Sequence, residues 1–175
     1  MDDAQMIDLA LLLLRVVLGV VLVCHGLQKA LGWLQGPGLT GAAAFMESLG
    51  HRPGLTKAKL AIACEIGSGI LLLLGLATPL AAAVAAGTML VAATSTMAKA
   101  RSFWNTQGGG EYPFVLALVA GVLAFSGPGK YSLDAVVLPD LPALTPVVVI
   151  VVAVVTAIPQ TMQAIEHQRR VRAQS

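Results

Sequence analysis

The sequence predicts an all-α membrane protein that crosses the bilayer five times. Of its 175 residues, 57% are hydrophobic and only 11% are charged, whereas soluble domains carry about 25% charged residues. The mean hydropathy is +0.81. The apolar residues come in blocks of roughly 20, the length that a helix needs to cross the hydrocarbon of a bilayer. The sequence has no basic stripe with interleaved aromatic residues, so nucleic-acid binding has no support.

Polar or glycine-rich stretches separate the apolar blocks and set their limits. The first block follows the acidic sequence MDDAQMID and lacks a small-residue cleavage site, so we interpret it as a membrane helix and not as a signal peptide. Between the first two blocks, residues 39–49 are predicted to form an amphipathic helix at the membrane surface. The predicted membrane helices cover residues 7–30, 60–77, 80–97, 111–125 and 145–165.

The distribution of basic residues predicts the orientation. With five crossings, the acidic N-terminus and Lys130 lie on one side of the membrane. The loops and the tail on the other side hold Arg52, Lys57, Lys59, Lys99, Arg101, Arg169, Arg170 and Arg172. Because cytoplasmic loops carry the excess of Lys and Arg, we expect the N-terminus outside and the C-terminus in the cytoplasm. Residues 166–175 would then form a basic cytoplasmic tail.

Ionisable residues inside the apolar blocks predict a polar cavity, because a charge in lipid needs a partner or a water-filled space. Arg15, His25 and Lys29 lie within roughly a 120° arc of the first helix. Glu65 lies roughly 10 Å below the cytoplasmic surface, at a depth where it can pair with Arg15 or His25. Glu111 opens the fourth block at the same surface. We expect these five residues to form one cluster in the cytoplasmic half, either lining a ligand cavity or only fixing helix packing.

The two cysteines, Cys24 and Cys64, lie inside the first and second blocks at similar depths. The simpler interpretation is that they are small buried hydrophobic residues. A redox pair is the alternative, although the reducing cytoplasmic side argues against a permanent disulfide. The sequence predicts no metal site.

Five motifs, in their order and spacing, resemble the DoxX family of small bacterial integral membrane proteins. They are LLLRVVLGVVLVCHGLQKALGW, FMESLG, CEIGSGILLLLGLATPLAA, GGGEYPF and SGPGKYSLD. The resemblance implies a four-helix membrane bundle over residues 1–134, to which residues 145–165 add a fifth transmembrane helix. The positions that match the family pattern are Arg15, Gly19, His25, Gly26, Lys29, Glu65, Gly69, Gly75, Thr78, Glu111, Gly127, Gly129 and Asp134.

The resemblance also implies a redox role. The family includes a membrane subunit of a thiosulfate:quinone oxidoreductase, and actinobacterial members linked to membrane-associated oxidoreductase complexes that handle oxidative and thiol stress. The sequence itself has no haem-ligand pair, iron–sulfur spacing or nucleotide motif. We therefore expect an accessory membrane subunit, not an enzyme acting alone.

Three functional hypotheses follow. In the first, the cavity holds a quinone head or another small polar ligand, with Arg15 as the fixed positive charge and Glu65 and His25 handling protons. The second is a small transporter or lipid-binding membrane protein, and the third is a non-catalytic membrane scaffold. The expected partners are the lipid bilayer and oxidoreductase subunits, and a homo-oligomer stays open.

Overall fold

The computed structural model describes residues 2–137 and 142–174, which form seven α-helices, two short 3₁₀ turns and no β-strand. The predicted all-α membrane class is therefore confirmed. The helices are α1 (Asp3–Leu31), α2 (Gly38–Ser48), α3 (Gly54–Leu74), α4 (Thr78–Ala100), α5 (Glu111–Ser126), α6 (Asp134–Val137) and α7 (Thr145–Ala173).

Three of the helices, α1, α4 and α7, are long and apolar enough to cross a membrane by length and composition. Helix α3 is also long, with 21 residues, but it carries Lys57, Lys59 and Glu65. Helix α5 is apolar and has 16 residues, which gives a length of about 24 Å. Much of the outer surface is apolar, and α7 turns Val148, Val152 and other large side chains outward.

The observed helices extend beyond the apolar blocks that predict them. Helix α1 begins at Asp3, where Asp2 and Gln5 form a capping box. Helix α7 continues through the predicted tail to Ala173, and its Gln168 side chain donates to the Ser48 carbonyl at 2.8 Å. Hydropathy marks only the apolar part of a helix, whereas the backbone hydrogen bonds continue into polar sequence. Residue 175 of the predicted tail, and residues 138–141 next to the predicted boundary between the bundle and the fifth helix, lie outside the described residues.

Three extensive helix contacts build the bundle, and α4 takes part in two of them. Helix α1 packs along α3, and α4 packs against both α5 and α7. Gly19 and Gly69 lie where the backbones of α1 and α3 meet, since a Cβ atom at Gly19 would stand 2.8 Å from the Gly69 carbonyl oxygen. Small residues permit this approach between membrane helices. Helix α2 packs against α3 and α1. It covers nearly the same residues as the predicted surface helix.

Candidate functional site

A cavity of about 410 Å³ lies between α3, α4 and α7, and residues of α2 and the end of α1 complete its wall. Its volume is within the range of about 300–1,000 Å³ that is typical of small-molecule sites. Most of its surface is apolar, with contributions from Ala61, Val84, Val91 and Ala157. Its polar lining comes from Lys29, His51, Lys57, Glu65, Thr88, Thr96, Thr156 and Gln160.

An ion pair between Lys29 and Glu65 lies in the wall of this cavity. Lys29 Nζ, in the last turn of α1, contacts Glu65 Oε1, in the middle of α3. The Glu65 side chain is 1% exposed and that of Lys29 is 24% exposed. The second carboxylate oxygen, Glu65 Oε2, is buried and has no hydrogen-bond partner. Buried polar atoms are normally hydrogen-bonded, so an unpaired carboxylate oxygen in this position is unusual.

Three threonines in the cavity wall donate hydrogen bonds to backbone carbonyls of their own helices. Thr88 donates to the Val84 carbonyl at 2.8 Å. Thr96 and Thr156 likewise donate to the carbonyls four residues earlier, each at 2.8 Å. Such back-bonding is common for hydroxyl side chains in helices. Each hydroxyl oxygen then faces its surroundings as a hydrogen-bond acceptor.

Exposed lining residues on α3 and α7 indicate that the cavity opens on the side of the bundle between these helices. These two helices both pack on α4 but barely touch each other. Leu60 of α3, which is 57% exposed, and the exposed Thr156 of α7 both line the cavity. A hydrogen bond of 2.8 Å from Lys57 Nζ to Gln160 Oε1 joins the two helices beside this opening.

His51 lines the cavity from the turn between α2 and α3. Its Nε2 lies 2.9 Å from Ser95 Oγ of α4, and both residues are buried. Burial, followed by the nearby positive charge of Lys57, lowers the pKa of His51, so the ring is neutral at pH 7. The sequence analysis missed His51 because its partner is 44 residues away and the turn has no local pattern that marks a site.

Arg15 does not pair with Glu65, and that prediction is wrong. Arg15 is fully buried and donates Nη1 to the Leu72 carbonyl at 3.3 Å and Nη2 to the Tyr131 carbonyl. Leu72 lies two helical turns beyond Glu65, about 10 Å along α3. Asp134 is close enough to interact electrostatically with Arg15. Helical periodicity gave the correct face of α1, but Arg15 lies at the other end of the bundle from the cavity.

His25 and Glu111 are also held outside the cavity wall, so the predicted cluster of five is divided. His25 Nε2 lies 3.2 Å from the Tyr112 hydroxyl, and the two rings meet edge to face. His25 remains within electrostatic reach of Glu65 and Lys29. The Glu111 carboxylate accepts a hydrogen bond from the Asn105 amide at 3.1 Å and so fastens the loop before α5.

Both cysteines are free thiols in the structure. Cys64, next to Glu65 in α3, lines the cavity. Cys24 lies on α1 and is partly buried outside the cavity wall. The two thiols therefore occupy different surroundings, and the reactivity of Cys64 can report whether the cavity is occupied.

These features define a small α-helical membrane protein with a mostly apolar side cavity and a buried ion pair in its wall. The family model described as DoxX matches residues 10–98. The protein described as "Putative oxidoreductase CatD" from Bacillus subtilis (strain 168) is 31% identical over 127 residues, which cover 73% of this chain and 86% of that protein. The chain belongs to the DoxX family, as its motifs predict. No solved structure matches it.

Proposed function

We propose that this DoxX-family protein is an accessory membrane subunit of a redox system that binds a quinone-type molecule in the cavity beside Glu65. The observation that carries the proposal is the position of the Lys29–Glu65 pair in the wall of a mostly apolar cavity. Ligand sites commonly combine apolar walls with a few polar groups that orient the ligand. A quinone has the same combination, with a polar ring head on an apolar tail.

The side opening supports a ligand that arrives from the bilayer. Leu60 and Thr156 lie at the opening, on a surface that faces lipid if α3 and α7 cross the membrane. A molecule dissolved in the hydrocarbon would reach the cavity between these helices without passing through water. The same opening favours a second candidate, binding or transport of another membrane lipid, which the experiment below distinguishes.

The redox part of the proposal is drawn from the relative named as an oxidoreductase. In this proposal, the chain binds and orients the quinone-type molecule, and a partner oxidoreductase subunit holds the electron-transfer centre. Lys29 and Glu65 orient the ring, while His25, within electrostatic reach of both, takes part in proton exchange with the cytoplasmic side. A role in oxidative-stress protection would follow from the partner that this subunit serves.

Labelling of Cys64 tests whether the cavity binds such a ligand. In a Cys24→Ser background, Cys64 is the only thiol, because the chain has two cysteines. We expect a decyl benzoquinone with all ring positions substituted, which cannot add to the thiol, to slow maleimide labelling of Cys64 at least threefold in detergent micelles. Ala61→Trp, which fills the cavity, should remove this protection, whereas Val17→Trp on the outer surface should retain it.

Protection by added phospholipid but not by the benzoquinone would favour the lipid-binding alternative. Labelling that neither molecule changes, in protein that remains folded and monodisperse, would contradict ligand binding in this cavity. Quinone or oxidoreductase subunits that co-purify with the protein from native membranes would support the redox assignment independently.

We further propose that the protein lies in the bacterial inner membrane with its N-terminus outside. The exposed Arg169 and Arg170 at the end of α7 support a cytoplasmic position for that end. In a variant without cysteines, Asp2→Cys should react with an impermeant maleimide in spheroplasts. Gln174→Cys should react only after the membrane is permeabilised. The opposite pattern would contradict the orientation.

A further inference from the structure

We propose that the opening between α3 and α7 binds the head group of an acidic phospholipid, with Lys57 and Gln160 as its polar contacts. The feature behind this inference is a lysine in the cavity wall whose charge the protein itself does not neutralise. The inference does not depend on a quinone in the interior of the cavity, and it assigns a second ligand to a separate position. Lys57 lies about 12 Å along α3 from Glu65.

Lys57 has no carboxylate partner among the described residues, since Glu65, the carboxylate in the cavity wall, pairs with Lys29. Lys57 Nζ instead donates to the neutral amide oxygen Gln160 Oε1 at 2.8 Å, and this bond is partly buried. A cation that is partly removed from water beside a bilayer is costly unless a counter-charge accompanies it. An anion bound at this position would supply that charge.

The charged groups of the cavity wall leave one positive charge in excess. Lys29 and Lys57 are cations, and Glu65 is an anion. Burial, followed by the charge of Lys57, lowers the pKa of His51, so its ring adds no charge at pH 7. A ligand with a single negative charge therefore matches the cavity wall. A phospholipid whose phosphate carries a neutral alcohol has this charge.

The surroundings of Lys57 favour a lipid over a free anion. Leu60, about one helical turn further along α3, is 57% exposed and lines the opening. On α7, Thr156 and the exposed Val152 precede Gln160 and extend this surface toward the middle of the helix. Acyl chains can therefore lie along the opening while the phosphate contacts Lys57.

The pair of Lys57 and Gln160 also has hydrogen-bond donors for phosphate oxygens. Their mutual bond uses one of the three ammonium protons, and the Gln160 amide group carries two more N–H donors. Hydrogen bonds from a cation to a phosphate are stronger than those between neutral groups. In the orientation proposed above, these helix ends lie on the cytoplasmic side, where basic pockets between membrane helices bind acidic lipids.

Native mass spectrometry of the purified full-length protein in lipid-free detergent tests the inference. It gives dissociation constants for phosphatidylglycerol, which has one negative charge, and for phosphatidylcholine with the same acyl chains, which has no net charge. We expect phosphatidylglycerol to bind roughly fivefold tighter or more. Glycerol phosphate, which has the phosphate but no acyl chains, should not displace it at an equal concentration.

Substitutions of Lys57 assign the preference to this position. Lys57→Gln removes the charge but keeps a group that can bond to Gln160, so the preference for phosphatidylglycerol should fall below about twofold. Lys57→Arg keeps the charge and should retain the preference. Lys99→Gln is the matched control, because Lys99 is an exposed lysine that donates to Ser48 Oγ at 2.8 Å and lies outside the cavity wall. It should bind the two lipids as the original protein does.

Equal binding of the two lipids by the original protein would overturn the inference, and so would a preference that persists in Lys57→Gln. Displacement by glycerol phosphate would overturn the assignment to a lipid. If Lys57→Gln does not fold, a phosphatidylglycerol with a photoreactive head group decides the matter in the original protein. Crosslinks are expected beside Lys57 and Gln160, and crosslinks at Lys99 in their place would overturn the inference. None of these outcomes bears on the protection of Cys64 by the benzoquinone, so the two proposals fail separately.

Discussion

Lys29 of α1 and Glu65 of α3 form an ion pair that connects the accessible end of one helix with the buried centre of the next. The Lys29 side chain is 24% exposed, whereas that of Glu65 is 1% exposed. One carboxylate oxygen is held by the lysine, and the other is buried beside the cavity without a partner. The same side chain therefore joins α1 to α3 and forms part of the cavity wall.

Removing the lysine should destabilise the protein. Lys29→Met leaves the Glu65 carboxylate buried without its counter-charge, a change that costs about 3 kcal/mol or somewhat more in buried pairs. Because Lys29 is partly exposed, we expect the lower end of that range. The free energy of unfolding, measured by SDS titration in mixed micelles, would report the loss.

A double variant distinguishes loss of the pair from a general packing defect. Lys29→Met with Glu65→Leu removes both charges and should recover most of the lost stability, since apolar residues of similar volume often replace a buried pair without cost. A single Lys29→Met variant as stable as the original protein would show that the pair does not hold α1 against α3.

Asp134 should stabilise the start of α4 through its carboxylate. Its two oxygens accept hydrogen bonds from the Ala77 amide at 2.6 Å and the Thr78 amide at 2.8 Å. Asn has one acceptor oxygen, so Asp134→Asn leaves one buried amide unpaired and loses an anion at the positive end of the helix. We expect a loss of about 2–3 kcal/mol in the free energy of unfolding.

Asp8→Asn is the matched control for Asp134→Asn. The Asp8 carboxylate also accepts a backbone hydrogen bond, from the Lys130 amide at 2.9 Å, but this contact is exposed. Because water can replace an exposed partner, we expect a change of at most about 1 kcal/mol. Equal effects of the two substitutions would contradict a special role for the buried carboxylate.

The close contact of α1 and α3 should not tolerate a larger residue at Gly19. A Cβ atom there would lie 2.8 Å from both the Gly69 carbonyl oxygen and Leu73 Cγ, so the helices would have to separate. We expect Gly19→Val to destabilise the protein by about 1–3 kcal/mol in the same SDS titration. A stable Gly19→Val protein would show that the helices can move apart at little cost.

Gly67→Ala controls for the loss of a glycine as such. Gly67 lies in the same helix as Gly69, but no atom of a neighbouring residue lies within 4 Å of where its Cβ atom would be. Because Ala is the better helix former, Gly67→Ala should be neutral or slightly stabilising, by up to about 1 kcal/mol. Marked destabilisation by both substitutions would point to a general sensitivity of these helices and not to the contact at Gly19.

The sequence predicted the helices better than the contacts between them. A block of apolar residues marks a membrane helix because the bilayer fixes its length. Periodicity also gives the angle of a side chain about its own helix, and it placed Lys29 on the same face as Arg15 and His25. The partner that Glu65 takes is Lys29, and not Arg15 or His25 as expected. Periodicity does not give the relative shift of two helices along their axes. That shift places Arg15 beside the carbonyls of Leu72 and Tyr131. Such partners depend on long-range packing, for which the local pattern carries no signal.

Asp134 is a residue that the sequence marked but whose partners it could not show. It matches the family pattern in the sequence, but its role became visible only when the turn after α3 placed the amides of Ala77 and Thr78 against its carboxylate. An Asp after a glycine- and proline-rich stretch is compatible with helix capping. The sequence cannot show that the helix it caps begins 56 residues earlier.

Stability should fall as the pH drops, and His51 should account for part of the loss. Burial and Lys57 lower the pKa of His51 in the folded protein below the value of 6.5 that applies to an unperturbed histidine. Above that value, both the folded and the unfolded chain hold a neutral ring, and the stability is complete. As the pH falls below it, the unfolded chain binds the proton first, so the folded state loses stability until the pH is below the lowered pKa.

The thermal unfolding temperature of the detergent-solubilised protein, measured between pH 8 and pH 5, would show this dependence. His51→Gln keeps a polar group that can bond to Ser95 Oγ but cannot take up a proton in this interval. The variant should therefore lose less stability than the original protein between pH 7 and pH 5, whatever its stability at pH 8. Parallel curves for the two proteins would show that protonation of His51 does not cause the loss of stability in acid.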